Sequence, residues 1–128
     1  MIRPERLRRG DRIAVVSLSS GLLGAPGLIH RYHTAKKRLE DNYGLIVEPT
    51  PHALAGIDYI AMHPEKRAED LMNAFRDPGV KAIFSAIGGD DSIRLLPYVN
   101  LDVIRNNPKI FMGYSDTTIT HFMAQKAG

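Results

Sequence analysis

Cysteine and tryptophan are absent from this 128-residue chain, and its apolar residues never gather into a long run. The absence of cysteine excludes a disulfide framework and a thiolate metal site. No apolar run approaches the roughly 18 residues that a membrane-spanning helix requires, and the N-terminal segment lacks the apolar core of a signal peptide. We therefore expect a cytoplasmic protein that works without a membrane.

The net charge is also small. It is formally +3, and most of the excess positive charge lies near the N-terminus. No aromatic residue interleaves with the arginines of that segment, and nothing there resembles a groove-binding module. A solvated N-terminal arm is the favoured interpretation, and no nucleic-acid partner is expected. The arginines concerned are Arg3, Arg6, Arg8, Arg9 and Arg12.

The chain alternates between apolar runs and segments with apolar residues at helical spacing, which predicts strands and helices in turn. Near-continuous apolar strands between helices indicate an α/β domain, with a parallel sheet of about four or five strands and helices on both faces. Residues 52–63 are predicted to be a loop with little regular structure. The predicted strands are 12–18, 45–48, 80–87 and 109–113, and the predicted helices are 27–43, 64–76, 92–98, 102–106 and 117–127. Gly44 is expected to end the first helix and Pro64 to begin the second, Ala35 and Phe122 are expected to face inward, and strand 109–113 is expected to be buried.

Three loops rich in small residues follow predicted strands, and the carboxyl ends of parallel strands are where ligands collect. In the first loop, glycines at 21, 24 and 27 lack the order of a phosphate-binding loop, so a plain flexible turn is favoured. In the second, Gly88 and Gly89 either bring backbone N–H groups close to a ligand or form a tight turn. The adjacent carboxylates of Asp90 and Asp91 are expected to cap the next helix, and no metal site is expected.

The third loop holds Ser115, where a strand breaks at Gly113 and a helix begins near Asp116. Such a serine is lifted off the strand end beside free N–H groups, which is the position of an acyl-transfer nucleophile. Alternatively, it N-caps the helix. His121 is a poor general base for it, because six helical residues turn the chain by roughly 600°. Composition and spacing leave these alternatives open and offer no base.

The segment from Gly113 to Thr118 resembles the nucleophile segment of the LD-carboxypeptidase family of serine peptidases. That family includes muramoyltetrapeptide carboxypeptidases and microcin immunity proteins. The resemblance extends along the whole chain. Its other segments are Leu7–Ile13, Arg67–Pro78, Ala82–Ser92, Leu95–Tyr98 and Asn107–Ile110.

The resemblance implies a flavodoxin-like fold and a serine-type carboxypeptidase that needs no metal or cofactor. Ser115 would be the nucleophile, and the backbone N–H groups of Gly89 and Asp116 would form the oxyanion hole. Gly88, Asp90 and Ser19 would contact a small peptide substrate. The bond cleaved would be an amide of murein tetrapeptide or of a microcin-type peptide–nucleotide.

Members of the family run to roughly twice this length, and the glutamate and histidine of their triad come from a second domain. We therefore expect residues 1–128 to be the N-terminal, nucleophile-bearing domain, which is inactive alone and part of a homodimer when complete. A different class of function stays open at this point. The chain would then be a non-catalytic α/β domain that binds a peptide or a nucleotide.

Overall fold

The computed structural model describes residues 1–128 and has a single four-stranded parallel sheet at its centre. The strand order is β2-β1-β3-β4, so β3 and β4, which come later in the sequence, lie on the side of β1 opposite to β2. All three pairings are parallel, as the buried apolar strands predicted. The strands are β1 (Arg12–Val16), β2 (Ile46–Pro49), β3 (Val80–Ser85) and β4 (Ile110–Met112).

Five α-helices and three short 3₁₀ turns connect and follow the strands. Gly44 ends the first helix in the left-handed conformation (φ 65°), and Pro64 occupies the first turn of the third helix, both as predicted. The helices are α1 (Ile29–Tyr43), α2 (Ile57–Met62), α3 (Pro64–Arg76), α4 (Leu101–Asn106) and α5 (Thr118–Ala127). The 3₁₀ turns are Leu22–Gly24, Ser92–Tyr98 and Ser115–Thr117.

Helices cover both faces of the sheet, and the larger core lies under α3, α4 and α5. There Leu71, Phe75 and Ile83 are almost completely buried, and hydrophobic burial of this kind is the main source of stability. On the other face, Tyr32 of α1 packs with Val15 and Val47. The predicted α/β architecture is therefore confirmed.

Several local predictions were wrong. Residues 57–62 form helix α2 within the segment predicted to be a loop. The helix buries the side chain of Ile60, but it is too short to show a periodic pattern in the sequence. Ala35 and Phe122 were expected to face inward, but Ala35 is exposed and Phe122 is 61% exposed. Strand β4 was expected to be buried, yet it lies at an edge of the sheet, and Met112 is 54% exposed.

Among the helices of the chain, none combines the length and the apolar character that crossing a membrane would require.

Candidate active site

Ser115 lies at a strained turn directly after β4. Its φ is +59°, and Ile87 is the one other non-glycine residue with a positive φ. A side chain in this region of φ costs energy, so the conformation persists only where the surrounding structure holds it. Ser115 is exposed, and its hydroxyl makes no hydrogen bond within the protein. The capping alternative is therefore wrong, since neither the 3₁₀ turn nor α5 has a side-chain cap.

The second loop, from Ile87 to Asp91, approaches Ser115 at a distance that only glycine permits. A methyl group on Gly88 would lie 2.8 Å from both Cβ and Oγ of Ser115, and 3.4 Å from the backbone nitrogen of Asp116. A methyl group on Gly89 would lie 3.3 Å from the backbone nitrogen of Ser20. The two glycines thus bring their loop against both neighbouring loops, which a tight turn alone would not require.

Asp116 joins the three loops through its own polar groups. Its carboxylate accepts hydrogen bonds from the hydroxyl of Ser19 and from the backbone N–H of Ser92, the latter at 2.8 Å. The hydroxyl of Ser92 donates to the backbone carbonyl of Asp116 at 2.7 Å. Because Ser92 is buried and these bonds cross between loops, they hold the turn at Ser115 in place.

Several backbone N–H groups at this edge have no acceptor within the protein, including those of Gly89 and Asp116. Unpaired donors near an exposed hydroxyl are what an oxyanion site requires. Asp90 is exposed and makes no hydrogen bond, whereas the hydroxyl of Ser19 is occupied by Asp116. The structure thus brings together Ser115, Gly88, Gly89, Asp116 and Ser19, and leaves Asp90 at the rim.

Asp91 does not cap the next helix, contrary to the prediction. Its carboxylate instead accepts from the guanidinium of Arg67 at 2.9 and 3.3 Å, and from Arg94 at 3.2 Å. Arg67 is the main cause that holds the pKa of Asp91 below its ordinary value of 3.8, with a smaller contribution from Arg94. The carboxylate is therefore charged at neutral pH.

Two of the three glycines in the first loop lie in close contact with another segment of backbone. A methyl group on Gly21 would clash with the carbonyl oxygen of Gly56, and one on Gly24 would lie 2.5 Å from that of Leu54. These two glycines let the loop pack directly on the backbone before α2. Gly27 has open space around it.

The hydrogen bonds of His121 and His52 do not involve Ser115. The Nε2 of His121 donates to the carbonyl of Gly113 at 2.8 Å, and its ring packs edge-to-face with that of Phe111. The Nδ1 of His52 lies 2.8 Å from the buried carboxylate of Asp70. No group of three His, Cys, Asp or Glu side chains is arranged to hold a metal ion.

Sequence reasoning missed Arg67 and Ser92 as parts of this site. Ser92 carries no distinguishing signal in the sequence. Arg67 does, because it is a charged residue one position before Ala68 and four before Leu71 on the apolar face of α3. A cation at such a position is rarely buried without a partner, so it could have been marked as a residue with a polar contact inside the fold.

Comparison with known proteins identifies the family of the chain. A family model described as the LD-carboxypeptidase N-terminal domain matches residues 13–128. The chain belongs to this family. The resemblance inferred from the motifs is therefore confirmed.

Two relatives of this LD-carboxypeptidase domain come from Bacillus subtilis. YocD, named as a candidate carboxypeptidase, is 38% identical over 126 residues, which are 96% of this chain and 37% of YocD. A protein named as a probable murein peptide carboxypeptidase is 34% identical over 119 residues, covering 93% of this chain and 35% of the relative.

A solved relative has the same fold. The crystal structure of an MccF-like protein from Streptococcus pneumoniae in complex with AMP has a TM-score of 0.86 and 46% identity, covering 93% of this chain and 35% of that protein. The chain thus spans little more than a third of the length of these relatives.

Proposed function

We propose that Ser115 is the nucleophile of a serine-type LD-carboxypeptidase and that residues 1–128 are its N-terminal domain. One observation carries this proposal. The hydroxyl of Ser115 is exposed and unbonded on a residue held at φ +59°, while Gly88 and Asp116 lock the turn beneath it. A structural serine would be expected to use its hydroxyl within the fold, so the strain is better explained by a reaction.

In the proposed reaction, Oγ of Ser115 attacks an amide carbonyl carbon of the substrate, and its proton passes to a histidine base. The oxyanion is stabilised by the free N–H groups of Gly89 and Asp116, each contributing roughly 3–4 kcal/mol if well placed. The C–N bond then breaks, and the leaving amine takes the proton from the histidine. Water cleaves the acyl-enzyme ester, which releases the carboxylic acid and restores the hydroxyl.

The base and the carboxylate that orients it are proposed to come from outside residues 1–128. His121 is engaged with Gly113, and no other histidine is bonded to a residue of the three loops. By family membership these partners are a histidine and a glutamate of a second domain. The isolated chain is then expected to be inactive, because a nucleophile without its base loses proton transfer.

The proposed substrates are amides at the end of a small peptide. A murein tetrapeptide, cleaved in the cytoplasm during peptidoglycan recycling, is supported by the relative named for murein peptides. A peptide–nucleotide of the microcin type is supported by the MccF-like structure that contains AMP. Gly88, Asp90 and Ser19 would line the peptide, and the complete protein would be a homodimer.

The test is Ser115→Ala in the complete gene product, assayed for release of the terminal D-residue from an LD-tetrapeptide and for cleavage of an aminoacyl-sulfamoyl adenosine. Removing the nucleophile is expected to lower kcat by about 10⁴-fold or more, with the variant still folded. Activity of the variant close to that of the parent would disprove the proposal. Tight binding of either compound by the parent without turnover would instead favour a binding domain.

A further inference from the structure

Arg67 is the largest side chain that is fully buried in the molecule, and it lies directly beneath the candidate active site. Its side chain is 0% exposed and makes no hydrogen bond to Ser115. Transferring a guanidinium from water to the interior is unfavourable unless good partners replace the water. The burial of Arg67 therefore depends on the groups that replace water around its guanidinium.

The partners of Arg67 belong to two different loops. The two hydrogens of Nη1 are shared among three acceptors, the carbonyls of Leu18 and Ser19 at 3.2 and 3.1 Å and the carboxylate of Asp91 at 2.9 Å. Nη2 donates to the second oxygen of Asp91. From its place on α3, a single planar group therefore joins the loop after β1 to the loop after β3.

These bonds also determine the direction of the backbone donors. Every peptide bond is trans, so a carbonyl that points down to Arg67 places the next N–H on the opposite side. The N–H groups of Ser19 and Ser20 thus point away from the guanidinium. The nitrogen of Ser20 faces the Gly89 position, 3.3 Å from where a methyl group would stand.

Stability alone is a poor explanation for such an arrangement. Buried ion pairs can often be replaced by apolar side chains of similar volume with little loss of stability. The fork of a guanidinium, in contrast, satisfies a carboxylate and two carbonyls at the same time, which a lysine ammonium cannot do in a fixed geometry. The arrangement indicates that Arg67 fixes the spacing between the loop after β1 and the loop after β3.

We propose that Arg67 is a positioning residue for the hydrolysis, which holds residues 18–20, whose Ser19 binds Asp116, against residues 88–91 so that the N–H groups of Gly89 and Asp116 keep their spacing. The inference rests on the proposed function and adds a residue to it. It predicts that loss of the fork lowers kcat more than it changes KM, because the donors act on the transition state.

The experiment compares Arg67→Lys with Arg94→Met in the complete gene product. Arg94 is a matched control, since it also binds Asp91, at 3.2 Å, but is 51% exposed. Arg67→Lys is expected to lower kcat by about ten- to a hundredfold with KM within about twofold, as a shift below 1 Å in the donors would cause. Arg94→Met should stay within about twofold of the parent in both.

A readout independent of activity is the amide exchange of Ser92, whose buried N–H donates to Asp116 and follows Asp91 directly. Exchange at Ser92 is expected to be about tenfold faster in Arg67→Lys than in Arg94→Met, since the loop has lost its anchor. If Arg67→Lys does not fold, the double variant Arg67→Met/Asp91→Asn carries the test, because it removes both charges of the pair.

Unchanged kcat and unchanged Ser92 exchange in the folded variant would overturn the inference. So would a fall in kcat that only matches the fraction of unfolded protein in a urea titration. Failure of the proposed function is distinguishable, since Ser115→Ala would then retain the activity of the parent. In that case the exchange at Ser92 still decides whether Arg67 holds the loops.

Discussion

The two edges of the sheet differ in what they hold. At the amino ends of the strands lies a cavity of about 450 Å³, lined mostly by polar and charged residues such as Arg6, Asp11 and Lys81. At the carboxyl ends lie both non-glycine residues with positive φ, Ile87 and Ser115, and the hydrogen bonds that cross between loops.

The difference shows that the edge with the cavity is not the edge with the strained residues and the unpaired hydrogen-bond donors. The amino edge has space, but its positive φ values fall on glycines such as Gly10 and Gly44, where they cost little. The carboxyl edge stores strain and unpaired donors on an open surface. We infer that the carboxyl edge performs the chemistry and that the amino edge supports the fold.

The strongest prediction concerns Gly88→Ala at the carboxyl edge. Its methyl group would lie 2.8 Å from Cβ and Oγ of Ser115, so the serine must shift. A displacement approaching 1 Å is expected to lower kcat by about 10²-fold. Steady-state kinetics of the complete gene product measures it.

Gly27→Ala is the matched control, because a methyl group there meets open space and φ is not in the left-handed region. It should leave kcat unchanged within the error of the assay. Equal activity of the two alanine variants would contradict the assignment of the reaction to the carboxyl edge.

At the amino edge, Lys109→Met should affect stability alone. The Nζ of Lys109 donates to the carbonyls of Asp77, at 2.6 Å, and of Val80, and burial lowers the pKa of this lysine. Leaving two carbonyls without a donor is expected to cost about 1 kcal/mol, at the low end of the usual range because Lys109 is partly exposed. Urea unfolding measures this cost, and a large fall in kcat would contradict the division between the edges.

The smallest effect is a pH dependence at Asp91. Arg67 holds the pKa of Asp91 below 3.8 in the folded state. The charged carboxylate therefore stabilises the protein at every pH above the pKa that Asp91 has in the unfolded chain. That contribution is lost as pH falls through the folded-state pKa. The difference in unfolding free energy between the parent and Asp91→Asn should therefore narrow on acidification. A difference that widens toward low pH in urea titrations would contradict the pairing.

Most of the fold was predictable because its signals are local. Gly44 and Pro64 marked helix ends through their backbone preferences, and the apolar runs marked the parallel strands. Helix α2 escaped prediction because six residues are too few to show a period. Phe122 was wrongly placed inside because helical spacing indicates a face but not what covers it.

The candidate site was predictable only in part. Gly88, Gly89, Ser115 and Asp116 could be marked from small residues after strands and from family motifs. Arg67 could not be connected to Asp91, because 24 residues separate them along the chain.

By itself, the sequence determined the α/β alternation, the family and the serine that stands at the sharp turn. Only the tertiary structure decided whether that serine caps a helix or is left free, since the outcome depends on what the neighbouring loops bring to it. Ser19 reaches Asp116 across 97 residues, and Gly88 approaches Ser115 from the loop after another strand. Backbone preferences act over a few residues, whereas the partner of a polar group is set by the packing of distant segments.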